Sequence, residues 1–242
     1  PELEAESARQ YTEIEFYNWS DATGPLKAVD KILTDLKDFS YRTIVIDDTM
    51  RADHAALIQD KLLNSNRLFT ASTIGTLRMQ KDATEQDILR INAHQADIAM
   101  RKAWDIIKPG LTEENIALAI QNSFSDQGAL PQFSIVASGS NSAFPHHQTG
   151  SRKLKEGDAI VIDLGGKFEG YASDITRMSS IGAPPKDYAL IHQIVEDAVC
   201  AAMEAARPGQ IAKNVDRAAR EVIEKAGFGK YFVHRTGHGL GS

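Results

Sequence analysis

The sequence predicts an α+β fold in which a smaller α/β unit precedes a larger domain built from two similar halves. Three observations predict it. Apolar residues switch between helical and strand spacing, Pro-Gly and Gly stops separate those stretches, and a set of matches recurs at a fixed offset. A chain of 242 residues, 42% apolar and 25% charged, can bury a substantial core and falls in the range of one or two domains.

Residues 1 to about 75 alternate in type. LKAVDKILTDLKDF has helical apolar spacing, YRTIVIDD reads as a buried strand, and HAALIQDKLL returns to helix. This predicts a partial α/β domain over residues 1–77. Arg78 to Asp82 is polar and aperiodic, so a second domain is expected over residues 78–242, opening on a long helix to about Ile107 with Thr84 and Asp87 as its capping box. Pro109-Gly110 stops that helix, and Thr112 caps another that ends near Gly128. Phe133 to Val136 suggests a strand, followed by two more, AIVIDLGG and the segment ending in DITRMSSI, around a turn with Gly170. Helices return at about Asp187–Arg207 and Val215–Ala226.

The second half repeats the first 99 residues later (208 − 109 = 99): Pro109-Gly110 recurs as Pro208-Gly209, Asn115 as Asn214, Gly128 as Gly227 and Phe133 as Phe232. The pattern predicts that helix, Pro-Gly break, helix, glycine stop and strand occur twice, giving two similar halves packed face to face.

Composition excludes several functions. The 27 basic and 33 acidic residues are interspersed, with net charge -6, so the basic stripe that nucleic acid requires is missing. Cys200 is the single cysteine, which rules out an intrachain disulfide and points to a reducing, cytoplasmic setting. No apolar run approaches the ~20 residues of a membrane span, and PELEAESARQ is charged rather than signal-like.

Asp163 in IVIDLGG and Asp174 in YASDITR lie 11 residues apart (174 − 163 = 11) on strands expected to pair antiparallel. Facing across that ladder, the two carboxylates would repel, which is tolerable when one is protonated or a divalent cation lies between them; as isolated turn residues, they would bond local backbone amides instead. His238 lies between Gly237 and Gly239, where the backbone can come close to a ligand. An imidazole there can complete a metal site or be merely structural. His146 and His147, after Pro145, read either as a surface loop or as proton-transfer and substrate-orienting groups.

Three segments in order, SNSAFPHHQTGSRKLKEGDAIVIDLGG, GYASDITR and YFVHRTGHGLG, resemble the pita-bread metallopeptidases: methionine aminopeptidase, aminopeptidase P, prolidase and the metal-free creatinase. The PHH, DITR and HRTGHG forms are most similar to the Xaa-Pro peptidases. The resemblance runs from about Arg78 to the end, roughly two thirds of the chain. It implies a pita-bread (creatinase/aminopeptidase) catalytic domain with an internal pseudo-twofold repeat.

The resemblance implies that Asp163 binds one metal, Asp174 bridges two and His238 binds the other. His146 would orient the substrate and stabilise developing negative charge, Thr176 would support the ligands, and His234 would line the substrate pocket; His147 receives no role. The implied cofactors are two divalent ions per full-length subunit, manganese foremost, with cobalt or zinc as alternatives. The implied activity is hydrolysis of the Xaa-Pro bond at the N-terminus of peptides or in dipeptides, by a cytoplasmic homodimer with no nucleic-acid or membrane partner. The competing expectation is an inactive pita-bread module that binds peptides or protein partners. The family pattern also needs two glutamates and a second histidine beyond the HGxG segment. The expectation is therefore a chain truncated at both ends, with weak or no metal retention and no peptidase activity of its own.

Overall fold

The computed structural model describes residues 2–36 and 43–242, in two compact units divided between Gln80 and Lys81. The first unit contains helices α1 (Glu2–Ala8) and α2 (Leu26–Asp35), strand β1 (Thr43–Ile46), helix α3 (Ala52–Lys61), strand β2 (Asn66–Phe69) and helix α4 (Ile74–Met79). β1 and β2 are parallel, with Thr43 opposite Asn66 and α3 as the crossover, so the alternation in sequence produces a βαβ unit. β1 is less buried than its apolar run suggested: Ile46 is buried, but Thr43 and Val45 are exposed, because β2 is the one strand paired with it among the described residues. Lys37–Phe39 of the expected helix and Tyr41 and Arg42 of the expected strand lie outside the described residues. Arg78, expected in an aperiodic linker that opens the second domain, instead sits in the last turn of α4.

The second unit opens on helix α5 (Ala83–Ile106). Its capping box is Asp82 with Glu85, not Thr84 with Asp87. Asp82 is extended, its side chain accepts from the Glu85 amide at 2.9 Å, and Glu85 accepts from the Asp82 amide at 2.8 Å. Helix α6 (Glu113–Asp126) starts where expected, on Thr112, whose hydroxyl accepts from the Asn115 amide while Asn115 accepts from the Thr112 amide. Strands β3 (Leu130–Ser138), β4 (Ala159–Phe168), β5 (Tyr171–Ala172) and β6 (Ile175–Ser180) form an antiparallel sheet with β4 between β3 and β6. Glu169 and Gly170, at φ 49° and 83°, make the tight turn out of β4; two consecutive left-handed residues match the right-handed twist of the strands they join.

The sheet packs on α5 and α6. Ile160, Ile162 and Leu164 of β4 meet Met100, Ile116, Ile120 and Phe124 in one core. Each such side chain removed from water contributes ~1.5–3 kcal/mol, enough to fix which face of β4 points inward. Asp163 necessarily points the other way.

The 99-residue repeat is visible in the helices and their C-terminal turns. Helices α7 (Tyr188–Ala205) and α8 (Ala212–Lys225) follow the same order, and α8 is α6 displaced by 99 (212 − 113 = 99; 225 − 126 = 99). Both second helices end in a Schellman motif. The Ala129 amide donates to the Phe124 carbonyl and the Phe228 amide to the Ile223 carbonyl, each at 3.0 Å, with Gly128 and Gly227 left-handed.

Beyond this point the correspondence stops among the described residues. Phe232 was expected to begin a strand like that of Phe133. Instead a short 3₁₀ turn (Gly229–Tyr231) precedes it, and among the described residues none of 232–242 forms a strand. The α7 face shows the same break. Val195 and Val199 are 48% and 50% exposed, whereas their counterparts Ala96 and Met100, under the sheet, are 1% and 2% exposed. Cys200 also lies exposed on α7. Among the described residues no helix is long and apolar enough to cross a membrane.

Gly165 and Gly166 allow the sheet to close. A Cβ on Gly165 would strike the Ser173 carbonyl and the Phe133 ring, and one on Gly166 the Phe124 ring. Gly165→Ala should lower the urea-unfolding free energy of the second unit by ~1–3 kcal/mol, since backbone as well as ring must move. An unchanged unfolding midpoint would show that this close approach is unimportant.

Candidate metal and substrate site

Every site residue expected from the sequence lines one cavity of about 1030 Å³: Asp163, Asp174, Thr176, His146, His234 and His238. β4 supplies Asp163, pointing away from the core. The aspartates do not face each other directly. Asp163 is registered with Thr176, and Asp174 lies one residue before β6, diagonal to Asp163 on the same side. The correction comes from the two-residue turn at Glu169-Gly170, which places Lys167 opposite Ala172 and leaves Ser173 and Asp174 outside the ladder.

Thr176 donates its hydroxyl proton to Asp163 Oδ1 at 2.7 Å. Burial pushes the Asp163 carboxyl above its usual range. The Thr176 hydrogen bond opposes that shift, the charge of Asp174 adds to it, and His146 and His238 pull back weakly. His238 reaches the cavity from the loop after Phe232, with Nε2 3.1 Å from Asp174 Oδ2. The rings of His146 and His234 meet edge to face, centroids 5.9 Å apart.

These residues fit a divalent cation in chemistry while falling short of a finished cage. Two carboxylates and an imidazole are the hard and borderline donors such ions take. With the ring proton on Nδ1, donated to the Gly239 carbonyl at 3.1 Å, His238 Nε2 turns a lone pair toward the Asp174 carboxylate. Two acceptors that close need a proton or a cation between them. Neighbouring ligands on an ion with bonds of about 2.1 Å stand roughly 3 Å apart, close to the separation seen. Among the described residues, no three His, Cys, Asp or Glu side chains already stand together as a metal cluster.

Two anchoring arrangements were not visible in the sequence. Glu113, first residue of α6, is fully buried and holds the loop that carries His146. It accepts from the Ser138 amide (2.8 Å) and hydroxyl (2.7 Å), from Asn141 Nδ2 (3.0 Å) and from His147 Nε2 (2.8 Å). Burial pushes its carboxyl up, and these donors more than offset that, leaving it below its usual range. His147, without a role from the sequence, is thus a tether rather than a cavity group. The second arrangement ties the 232–238 loop to α8. Arg220 Nη1 donates to the Phe232 carbonyl and Nη2 to the His234 carbonyl, both at 2.8 Å, while Asp216 Oδ1 accepts from the Thr236 amide (2.7 Å) and hydroxyl (2.9 Å). Arg220 and these Thr236 donors hold the Asp216 carboxyl down at about 2. Spacing gave no hint of either, since Glu113 and Asp216 read as ordinary acidic residues of amphipathic helices.

Residues 87–242 match the family model described as metallopeptidase family M24. The chain belongs to this family. M24 relatives cover its whole length. It is 36% identical to the probable dipeptidase PepE of Mycobacterium tuberculosis, covering 100% of this chain and 64% of that protein. It is 34% identical to the Xaa-Pro dipeptidase of Pyrococcus furiosus, covering 100% of this chain and 67% of that one. The crystal structure of recombinant prolidase from Thermococcus sibiricus superposes with a TM-score of 0.88 at 33% identity, over 100% of this chain and 66% of its own. The chain therefore spans about two thirds of the length of these M24 relatives, and the fold of its second unit is the pita-bread fold.

Two outcomes follow for stability. Glu113→Ala strands several donors in the core and should destabilise the second unit by ~3 kcal/mol or more in chemical denaturation; a loss under ~1 kcal/mol would mean the network is incidental. The pH dependence has a definite sign. Asp216 falls from an ordinary 3.8 to about 2 on folding, so its contribution is complete above about pH 4 and disappears as pH drops towards 2. Urea midpoints should fall across that window and fall less in Asp216→Asn. Equal acid sensitivity in both proteins would contradict this.

Proposed function

We propose that this is a metal-dependent exopeptidase acting on the Xaa-Pro bond, at the N-terminus of peptides or in dipeptides, and that this is the activity of the whole protein. One observation carries the reading: Asp163, Asp174, His238 and His146, brought from four separate stretches of chain, line a single cavity large enough for a short peptide. The names of the M24 relatives support the same substrate class.

In this reading, Asp163, Asp174 and His238 hold divalent metal, two ions per subunit with manganese foremost, and Thr176 fixes the Asp163 carboxylate in orientation. Lewis acidity and water activation are what bound divalent ions supply there. His146 donates a hydrogen bond to the oxygen of the scissile carbonyl as negative charge develops on it. His234, against the His146 ring, limits the turning of that ring and lines the space beside the substrate. The Xaa-Pro bond is a tertiary amide without N–H, so this wall must accept a ring rather than a donor. A homodimer in the cytoplasm completes the proposal.

Hydrolysis of a dipeptide Xaa-Pro and of a tripeptide Xaa-Pro-Yaa with added manganese tests the reading. His146→Ala should lower kcat by ~10²–10³ with less effect on KM. Asp163→Asn should remove both manganese binding and turnover. If the whole protein loaded with manganese cleaves neither substrate, the peptidase reading falls and a peptide-binding module replaces it. Residues 1–242 on their own, with three ligand side chains and no preformed cage among them, should hold manganese weakly and turn over neither peptide; turnover above background by that chain would overturn this part.

A further inference from the structure

The loop that carries His234 and His238 is irregular and leaves unusual backbone satisfaction to two side chains. No strand pairs with it among the described residues, yet the Phe232 carbonyl, the His234 carbonyl and the Thr236 amide are all hydrogen-bonded, and every one of those bonds goes to Asp216 or Arg220 of α8. The bonded residues are alternate ones, 232, 234 and 236, as they would be along the edge of a strand. Arg220 and Asp216 thus hold these backbone groups from α8, with the guanidinium as double donor and the carboxylate as acceptor.

An ordinary i,i+4 helix pair does not account for this. Such a pair is worth ~0.3–0.5 kcal/mol and would leave its remaining hydrogen-bonding capacity in water. Here Arg220 Nε bonds Asp216 Oδ2 at 3.1 Å, while Nη1, Nη2 and Asp216 Oδ1 are all engaged by the loop, and the Phe232 ring lies 4.5 Å from the guanidinium. The repeat supplies a comparison within the same molecule. The residue 99 positions before Arg220 is Gln121, whose side-chain amide donates to the Ser134 hydroxyl, and there β4 provides the backbone partners of β3.

We propose that Asp216 and Arg220 are positioning residues for the site: they fix the loop so that His238 meets Asp174 and His234 meets His146. This rests on the metallopeptidase reading for its consequence, though not for its geometry. His238 lies two residues beyond the clamped Thr236 and three before Gly241, whose carbonyl accepts from the Ala172 amide at 3.0 Å. With the Thr236 tie released, His238 would hang from the Gly241 bond and its own contact with Asp174.

The test uses the chain in metal-free form and then with Mn²⁺. Asp216→Ala, Arg220→Met and Arg220→Lys are compared with Glu221→Gln, a control on the same helix outside the clamp. Circular dichroism confirms the helices, amide exchange at Thr236 and the ring resonances of His234 and His238 report the loop, and paramagnetic broadening by Mn²⁺ reports affinity at the site. Faster Thr236 exchange by ~10-fold or more, shifted His238 resonances and a ~10–100-fold weaker Mn²⁺ titration are expected for Asp216→Ala and Arg220→Met. Arg220→Lys should lie between them and the unsubstituted chain, since one ammonium does not span both carbonyls as the fork does. Folded variants with unchanged exchange and His238 resonances would overturn the proposal, as would an unchanged Mn²⁺ affinity. If the unsubstituted chain shows no Mn²⁺ broadening while the loop signals still respond to substitution, the clamp stands and the expectation of weak Mn²⁺ binding by residues 1–242 falls. Should Asp216→Ala unfold α8, Thr236→Val removes the hydroxyl bond with the helix pair left whole, and unaltered His238 resonances in it would count against the clamp.

Discussion

Strand β4 is the constraint on which the second unit depends. It pairs on both edges, so its backbone is satisfied by β3 and β6 and its register is fixed from two sides. Its alternate side chains then have no choice. Ile160, Ile162 and Leu164 are fully buried against α5 and α6, and the intervening Val161 and Asp163 must lie on the opposite face. A register slip of one residue would put a carboxylate into the apolar core and three aliphatic side chains into the cavity, a change of several kcal/mol from burial alone. The orientation of Asp163 toward the cavity is thus enforced by the packing of its neighbours.

From that strand the rest of the site is assembled by irregular chain, and irregular chain has to be held by something other than a ladder. The solution is the same in both halves: a carboxylate on the second helix receives backbone and side-chain donors from the loop that bears a cavity histidine. Glu113 does this for the loop of His146, deep in the protein, where leaving any donor unpaired would be costly. Asp216, with Arg220, does it for the loop of His234 and His238, nearer the surface. The first is an anchor by burial and the second by charge-assisted hydrogen bonding.

The duplication was legible because it is written in residues whose backbone requirements are strict. Gly128 and Gly227 occupy left-handed positions that close Schellman motifs, and Gly110 and Gly209 occupy left-handed turns after their prolines. Periodicity gave the helices to within a few residues, but it misplaced the α5 cap by two positions, since both Asp82/Glu85 and Thr84/Asp87 satisfy the same pattern and only backbone dihedrals distinguish them. It also predicts a strand at Phe232, where none forms among the described residues. A strand exists only where another strand pairs with it, and that is not a local property of sequence.

What the sequence determined by itself was the identity and order of the chemical groups: the aspartates of IDLGG and SDITR, the histidines of PHH and HRTGHG, and the two helix pairs that frame them. Those follow from residue type and spacing, which act over a few positions. What only the tertiary structure decided was proximity and support: that Asp163 is registered with Thr176 rather than Asp174, that His147 is a tether on Glu113 while His146 lines the cavity, and that Asp216 and Arg220 hold the last loop. Each of those depends on groups between 12 and 34 residues apart coming within about 3 Å, and no local periodicity encodes a distance across the fold.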